Sequence, residues 1–426
     1  MMRPPMHAAI IILVFILTYL GMAAGRLPWL QVDRTGIALL GVIALLATET
    51  VTLDDLGGSI DTSTLVLLFA LMIISAQFLS SGFFDRCADW IGRQTGGPAR
   101  LLAVTVAVCG GLGALFANDI LIIPLVPLLI AGARARSLDP RPFLIALACA
   151  TNAGSAATLI GNPQNILIGQ IGSLSFHTFL LACLVPALIA LLCVFGVLWL
   201  LWHDRIENTV LAVTRDVPEV PVHPYDRNQT IKGIVAMVAL LILFTTSLPR
   251  EIGGLVIAAL LLANRKFTSR TMIAAVDWPM LLLFVCLMAI TGALADTGLP
   301  WTVISALRSI GLLPDNIAVL TPFTLLMSNT IGNVPAVILL LQIWPNPPQG
   351  ALYALALLSS LAGNLLVVGS FTNLIVLERG AAFGVRISFA DYARAGVPIT
   401  LLSMGFAVFW LAWTGWLPLW PGGAGG

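Results

Sequence analysis

Two polar strings interrupt the apolar first half of the chain, Phe116-Ala117-Asn118-Asp119 and Gly161-Asn162-Pro163-Gln164-Asn165. Two more interrupt the second half in the same order, Met327-Ser328-Asn329-Thr330 and Gly369-Ser370-Phe371-Thr372-Asn373. The paired asparagines are 165 − 118 = 47 residues apart in the first half and 373 − 329 = 44 residues apart in the second. Amides and hydroxyls at membrane depth are costly unless they are paired or hold a ligand. Breaks at matching places of two halves therefore predict the binding site of a secondary transporter.

Composition places most of the chain in lipid. Hydrophobic residues make up 59% and charged residues 10% of the 426 positions, whereas soluble domains contain about 45–50% and 25%. The net charge of +1 gives no reason to expect a nucleic acid partner. The six cysteines are scattered, and no His/Cys/Asp/Glu cluster or nucleophile–base pair stands out. We therefore expect neither an enzyme nor a cofactor, other than H⁺ or Na⁺ as a coupling ion.

The hydropathy pattern predicts an all-α polytopic protein of the inner (cytoplasmic) membrane. A spanning helix needs about 20 mostly apolar residues. The candidate spans are 7–24, 35–50, 63–82, 142–170, 178–202, 231–248, 251–264, 279–295, 351–378 and 396–415. Residues 1–25 could instead be a signal peptide, but the membrane-like composition of the remaining chain favours a first helix.

Two further stretches, 100–133 and 315–343, do not fit a single ordinary crossing. The first would be about 51 Å long as one helix, too long for an untilted crossing and too short for two. Arg100 and Arg134 flank it, and basic residues favour the cytoplasmic side, so both ends are expected on one face. A re-entrant hairpin with its tip near Asn118 and Asp119 satisfies this condition. One long tilted helix is the alternative.

The same series of segments occurs twice. Residues 1–202 are predicted to form a first repeat and residues 231–426 a second, each with five transmembrane helices and one re-entrant hairpin. Because five crossings is an odd number, the second repeat should be inverted relative to the first, which places the substrate between them near the midplane. The polar segment 203–230 is predicted to be a cytoplasmic linker.

Segments 142–170 and 351–378 are predicted to be broken helices. Gly161 and Pro163 favour a break, since glycine permits unusual dihedrals and proline removes a backbone donor. A break leaves free N–H groups on one side, which attract anions, and free C=O groups on the other, which suit a cation. The alternative is that the small and hydroxylated residues only allow close helix packing.

These arguments give two sets of candidate site residues. The candidates for substrate binding are Asn118, Asn165, Ser328, Asn329, Thr330, Thr372 and Asn373. The candidates for ion coupling are Asp119, Asn118, Thr151, Asn152, Ser155, Gly161, Asn162, Gly363, Asn364, Gly369 and Ser370. No transition metal is expected among them, and Na⁺ is the one metal ion considered.

Asp119 is the only carboxylate well inside the apolar part of either hairpin. It could carry a proton, or it could remain ionised beside a sodium ion. A buried structural acid, paired with amides or backbone donors, is the alternative. Thr330 occupies the matching position of the second motif, so a proton role would belong to one half only.

The motifs resemble those of the ion transporter superfamily, which includes arsenite pumps, NhaD-type sodium/proton antiporters and divalent anion/sodium symporters. Phe116-Ala117-Asn118-Asp119 is similar to the arsenite pump signature, and Ser328-Asn329-Thr330 is similar to a Ser-Asn-Thr motif of the symporters. The string from Ala156 to Asn165 resembles their broken-helix motif, with Pro-Gln-Asn where they usually have Pro-Pro-Asn. The resemblance covers nearly the whole chain and is nearest to the YbiR-like branch of anion permeases.

This resemblance implies two sodium-type sites around one substrate, elevator movement and often a homodimer. An arsenite pump would also bind an ATPase subunit. The string Ala117-Asn118-Asp119 stands where the symporters have Ser-Asn-Thr, which favours proton coupling at the first site.

The leading hypothesis is a secondary active transporter of a small anion or oxyacid, coupled to H⁺ or Na⁺, in the lipid bilayer. An arsenite or antimonite efflux permease and a Na⁺/H⁺ antiporter are the alternatives. An ion channel would need a continuous polar pore, and the isolated polar breaks argue against one. The substrate, the coupling ion and the direction of transport stay open.

Overall fold

The computed structural model describes residues 5–24, 32–206, 223–344 and 346–419, and these ranges contain helices and no strand. The helices of the first half are α1 (Pro5–Ala24), α2 (Arg34–Ala47), α3 (Leu53–Ser59), α4 (Thr62–Ser80), α5 (Phe83–Gly92), α6 (Pro98–Gly113), α7 (Asn118–Arg134), α8 (Arg141–Ser155), α9 (Pro163–Ile171) and α10 (Phe176–Ile206). Those of the second half are α11 (Arg227–Leu243), α12 (Arg250–Leu262), α13 (Ser269–Ala274), α14 (Trp278–Ala295), α15 (Leu299–Ser309), α16 (Ile317–Thr330), α17 (Asn333–Ile343), α18 (Gln349–Ala362), α19 (Phe371–Ala382) and α20 (Phe389–Trp413). A short 3₁₀ helix (Val367–Gly369) lies between α18 and α19.

Local signals at the helix starts recur in both halves. Asp61 caps α4 and Asp277 caps α14, and each carboxylate accepts a hydrogen bond from the backbone N–H three residues on. Gly82 before α5 and Gly298 before α15 have φ of 69° and 76°. Glycine adopts this left-handed conformation without strain, whereas other residues rarely do. The two halves therefore use the same turn chemistry at equivalent points.

The described helices of the two halves follow the same order, and their contacts exchange partners. Helix α4 packs against α12 while α14 packs against α2, and α7 packs against α19 while α17 packs against α9. An exchange of this kind is expected when a pseudo-two-fold axis relates two repeats. The inverted orientation of the second half remains a prediction. The predicted linker at 203–230 falls largely on residues outside the described ranges.

Helix lengths agree with a polytopic membrane protein. Among the described helices, α1, α4, α10, α14 and α20 are long and apolar enough to cross a membrane. The predicted span 142–170 is divided into α8 and α9, and 351–378 into α18 and α19. Stretches 100–133 and 315–343 each form two helices, which excludes the alternative of one long helix. The all-α polytopic class is thus confirmed.

Four short helices escaped the sequence analysis, namely α3, α5, α13 and α15. They contain 7, 10, 6 and 11 residues, well below the length by which hydropathy identifies a span. Their signals are local ones. Thr52 and Thr268 cap α3 and α13, and the glycines noted above precede α5 and α15.

Helices α6 and α8 cross with their backbones in contact. A Cβ atom built on Gly154 would lie 1.9 Å from the carbonyl oxygen of Gly110, and one built on Gly113 would lie 2.5 Å from that of Thr151. Both obstacles are backbone atoms, so only glycine fits at Gly154 and Gly113 without separating the helices. The crossing fixes the first hairpin against the first broken helix.

Candidate functional site

A cavity lies between the two halves, at the breaks in the helices. Its volume is about 70 Å³, measured as the space open to the centre of a water-sized molecule, and one water needs at least about 10–15 Å³ on that measure. Its polar lining consists of Arg34, Asn118, Asp119, Asn152, Ser155, Asn162, Gln164, Asn333, Ser360, Ser370 and Thr372. Apolar walls come from Leu68, Leu71, Met72, Met280 and Phe371, among others. Both halves therefore build the cavity.

Four helices of the hairpin and broken-helix segments begin at the cavity wall: α7 and α17 from the hairpin segments, and α9 and α19 from the broken helices, while α2 begins there with Arg34. Asn162 caps α9, its Oδ1 accepting a hydrogen bond from Asn165 N at 2.8 Å. The starts of α7, α17 and α19 have no side-chain cap. Each start presents backbone N–H groups and a partial positive charge of about half an elementary charge. The convergence favours an anionic or oxygen-rich ligand.

Phe116 anchors the link that precedes α7. Its ring centroid lies 4.7 Å from that of Phe78 and 5.2 Å from that of Phe84, within a buried aromatic cluster. The backbone N–H of the next residue donates to Ser75 Oγ at 3.3 Å. These contacts hold the start of α7, so that Asn118 and Asp119 line the cavity.

Asn165 and Asn373 brace the two broken helices in the same way. The amide nitrogen of Asn165 donates to the backbone carbonyl oxygens ten and seven residues earlier, at 3.1 and 2.9 Å. Asn373 makes the equivalent pair of hydrogen bonds at 2.7 and 3.2 Å. These carbonyls lie at or just beyond the ends of α8 and α18, where the helical hydrogen-bond pattern stops. The lining of the cavity includes neither asparagine.

A buried amide network joins the two broken helices. Asn152 Nδ2 donates to Asn364 Oδ1 at 3.0 Å and to Asn373 Oδ1 at 3.1 Å. The Oδ1 atom of Asn152 accepts from Ser370 Oγ at 3.2 Å, and Asn364 Nδ2 donates to Cys149 O at 3.1 Å. Since every one of these bonds is buried, the network fixes α8 rigidly against α18 and α19.

Asn162 makes a second link between the halves. Its amide nitrogen donates to Ser360 Oγ at 2.7 Å and to Ser155 Oγ at 3.1 Å. A Cβ atom built on the preceding Gly161 would lie 2.4 Å from Ser155 O. The glycine therefore lets the chain fold back closely enough for Asn162 to reach both serines.

The predicted site residues divide into two groups. Those that line the cavity are Asn118, Asp119, Asn152, Ser155, Asn162, Ser370 and Thr372. Those that lie outside its lining are Thr151, Gly161, Asn165, Ser328, Asn329, Thr330, Gly363, Asn364, Gly369 and Asn373. The structure brings the first group together around one space, whereas several of the second group hold the broken helices in shape. Their roles toward substrate or ion remain predictions.

The Ser328-Asn329-Thr330 motif lies in the last turn of α16 and not at the cavity wall. Asn329 Nδ2 donates to Ala362 O at 3.0 Å, which ties the second hairpin to the second broken helix. Thr330 is exposed and donates to carbonyls of its own helix. Ser328 is fully buried. In this conformation Asn333 is the hairpin asparagine that faces the cavity in the second half.

Arg34, Gln164 and Asn333 are cavity residues that the sequence analysis missed. Asn333 is the first residue of α17, as Asn118 is the first residue of α7. With the side-chain amide of Asn333 oriented so that its nitrogen faces Gly369 O, the nitrogen donates a hydrogen bond of 2.9 Å to that oxygen. An asparagine two residues before a proline is a helix-start signal that could have found it. A lone arginine at the start of an apolar run resembles an interfacial anchor, so Arg34 has no comparable signal.

Asp119 lies within electrostatic range of Asp277, the residue that caps α14. Two neighbouring carboxylates repel each other when both are ionised. The described residues contain no group of three or more His, Cys, Asp or Glu side chains that could hold a metal ion.

Asn118 presents an unpaired acceptor. Its Oδ1 atom is buried and has no hydrogen-bond partner among the described residues. Buried polar atoms are usually paired, so such an atom calls for a donor or a cation. Beside the uncapped helix starts, the cavity can thus offer both donors and an acceptor to an oxygen-rich ligand.

Comparison with known proteins gives four similarities. The chain matches the profile of the citrate transporter family (CitMHS) over residues 10–346. It is 27% identical to the 46 kDa membrane protein of Mycobacterium leprae, over 95% of this chain and 98% of that protein. It is 27% identical to the silicon efflux transporter LSI3 of Oryza sativa subsp. japonica, over 88% of this chain and 91% of that protein. Its fold is similar to the crystal structure of the Alcanivorax borkumensis YdaH transporter, with a TM-score of 0.58 and 15% identity, covering 98% and 99% of the two chains.

These similarities confirm a multi-pass membrane protein that acts as a transporter, in agreement with the predicted inner-membrane location. The relatives that carry a functional name are transporters and not enzymes.

Proposed function

The chain belongs to the citrate transporter family, part of the ion transporter superfamily that its motifs resemble, and from this premise we propose that it is a secondary active transporter of a small anion or oxyacid. Transport is coupled to H⁺, with Na⁺ as the other candidate ion, and access alternates by an elevator movement. Membership of the family identifies the protein as a transporter. The residues and helix starts around the cavity support the proposed type of cargo.

The observation that carries the proposal is the convergence of four helix starts on one cavity. Three of these starts lack a side-chain cap, so their first-turn N–H groups are available to ligand oxygens. The four dipoles add a positive potential at a site that water and lipid do not screen strongly. Carboxylates and oxyanions are the small molecules best matched to such a site.

The proposed movement follows from how the helices group. Helices α1–α4 pack mainly with one another and with α11–α14, and α6–α10 pack mainly with one another and with α16–α20. The amide network joins the broken helices within the second group, through Asn152 and Asn373. The cavity lies at the boundary, with Arg34 and Met280 on the first group and most of its polar lining on the second. Sliding of the second group along the first would carry the cavity across the membrane.

Coupling is assigned to Asp119, supported by its place at the cavity wall and its interaction with Asp277. A proton on this pair removes the repulsion between the two carboxylates. A proton can then be taken up on one side of the membrane and released on the other, together with the movement of the cavity.

A second candidate is efflux of a neutral oxyacid. It is favoured by the similarity to a silicon efflux transporter and by the unpaired acceptor of Asn118, which could bind a hydroxyl donor. In that case the helix starts would bind hydroxyl oxygens, and the direction of transport would be outward.

Flux into proteoliposomes tests the proposal. Citrate, succinate and sulfate serve as anions, and arsenous acid serves as a neutral oxyacid, each with a proton gradient, a sodium gradient or neither. We expect at least one compound to accumulate only when a gradient is present. Failure of every compound under every gradient, with protein that is folded and correctly inserted, would contradict the proposal.

Two variants connect this flux to the cavity. Asn118→Ala and Asn333→Ala each remove an amide from the lining, and we expect each to raise the KM for the cargo about tenfold. Asn228→Ala, at an exposed position on α11, is the matched control and should leave KM unchanged. Unchanged KM in both cavity variants would place the cargo elsewhere.

A further inference from the structure

Arg34 is a buried cation at the wall of the cavity. It is the first residue of α2, and only 5% of its surface is exposed. Its guanidinium reaches the second hairpin, where a Cβ atom on Gly332 would lie 3.3 Å from Nη1. It also reaches the second broken helix, with its carbon 5.4 Å from the ring centroid of Phe371. The charge therefore lies beside the starts of α17 and α19.

Among the described residues, the contacts of Arg34 do little to offset its positive charge. Among the described residues, Nη2 donates one hydrogen bond, a long one of 3.4 Å, to Val368 O. The ion pairs of the described residues do not include Arg34. The adjacent Asp33 is exposed and caps α2 through Gly36 N. A guanidinium has five N–H donors, and a buried charge without a counter-ion is expensive.

Arg250 occupies the equivalent position in the second half, and its contacts can be compared with those of Arg34. It is the first residue of α12, donates to Leu174 O at 2.8 Å and lies 5.2 Å from the ring centroid of Phe244. The next residue, Glu251, interacts with it electrostatically. Arg250 does not line the cavity. The two arginines thus share an aromatic contact and a carbonyl contact, but among the described residues only Arg250 has a carboxylate that interacts with it electrostatically.

We propose that Arg34 recognises the negative charge of the cargo, so that the transported species is a carboxylate or a deprotonated oxyanion and not a neutral oxyacid. This inference rests on the proposed transport function and narrows its substrate class. The cargo supplies the counter-charge that the described residues do not. Its oxygens then lie between the guanidinium of Arg34 and the uncapped starts of α7, α17 and α19, with a charge-assisted hydrogen bond to the arginine.

Ligand-induced thermal stabilisation tests the inference on purified full-length protein near neutral pH. The probes are citrate and sulfate, arsenous acid (uncharged near neutral pH) and trimethyl citrate, which lacks carboxylates. We expect stabilisation of the wild-type protein by at least one anion and none by trimethyl citrate. Arg34→Gln should weaken anion binding by at least about tenfold, the effect of losing a hydrogen bond to a charged group.

Arg34→Lys should restore part of the affinity, because it restores the charge without the planar fork. Arg250→Gln is the matched control and should bind the anion as the wild-type protein does. Wild-type affinity in folded Arg34→Gln would overturn the role of Arg34. Stabilisation by arsenous acid alone would also overturn it, while leaving the transporter proposal intact. If Arg34→Gln does not fold, the wild-type protein alone provides the test. Trimethyl citrate that stabilises it as strongly as citrate does would then contradict the inference.

Discussion

The two halves of the molecule build the same frame but give the cavity different chemistry. Asn118 and Asn333 each begin the second helix of a hairpin segment and line the cavity. The next residue is Asp119 in the first half and Val334 in the second. Both charged residues of the lining, Asp119 and Arg34, come from the first half. The second half contributes only neutral donors and acceptors.

This difference shows that symmetry of fold does not require symmetry of function. The shared frame consists of backbone breaks, helix starts and the paired braces at Asn165 and Asn373, all of which keep α8 and α18 interrupted at equivalent places. Under the proposals made above, one partly buried acid and one buried arginine would serve coupling and charge recognition. A second copy of either would add another buried charge to stabilise.

The largest effect is expected from removing the acid that only the first half has. Asp119→Asn keeps the shape of the side chain but cannot gain or lose a proton, so proton-driven flux in proteoliposomes should fall to the level of empty liposomes. Asp54→Asn, at an exposed position on α3, should transport as the wild-type protein does. Undiminished proton-driven flux in Asp119→Asn would show that the acid found only in the first half is not needed for coupling.

A smaller effect is expected from the braces, which should be equivalent in the two halves. Asn165→Ala and Asn373→Ala each remove the side-chain donor to two backbone carbonyl oxygens, so each should lower the free energy of unfolding by about 1–3 kcal/mol. Denaturant unfolding in detergent measures this loss, with Asn228→Ala as the control at a surface position. A loss in only one of the two variants would break the symmetry of the frame.

The smallest effect is expected at Thr330. Because this side chain is exposed and hydrogen bonds to its own helix, Thr330→Ala should change cargo affinity by less than about twofold. Thr372→Ala, which alters a residue of the cavity lining, is the positive control in the same thermal-shift titration. A tenfold loss in Thr330→Ala would show that the tip of the second hairpin contacts the cargo in another conformation.

The sequence predicted the cavity wall more completely in the first half than in the second. Asn118 and Asp119 follow a buried Phe and begin a helix, so the motif and the lining coincide there. In the second half the matching motif ends at Thr330, and the asparagine of the hairpin segment that lines the cavity is Asn333. Sequence spacing could not reveal this shift, because the link before α17 is shorter than the link before α7.

The sequence by itself determined which segments lie in lipid, where they are interrupted and that the pattern occurs twice. It could do so because backbone groups in a bilayer must be paired within their own segment, so every interruption leaves a visible polar mark. Tertiary structure alone decided which asparagines brace a helix and which face the cavity, and that Arg34 lies among the latter. These outcomes depend on contacts between residues as far apart as Arg34 and Val368, 334 positions along the chain. No local pattern encodes a contact over such a separation.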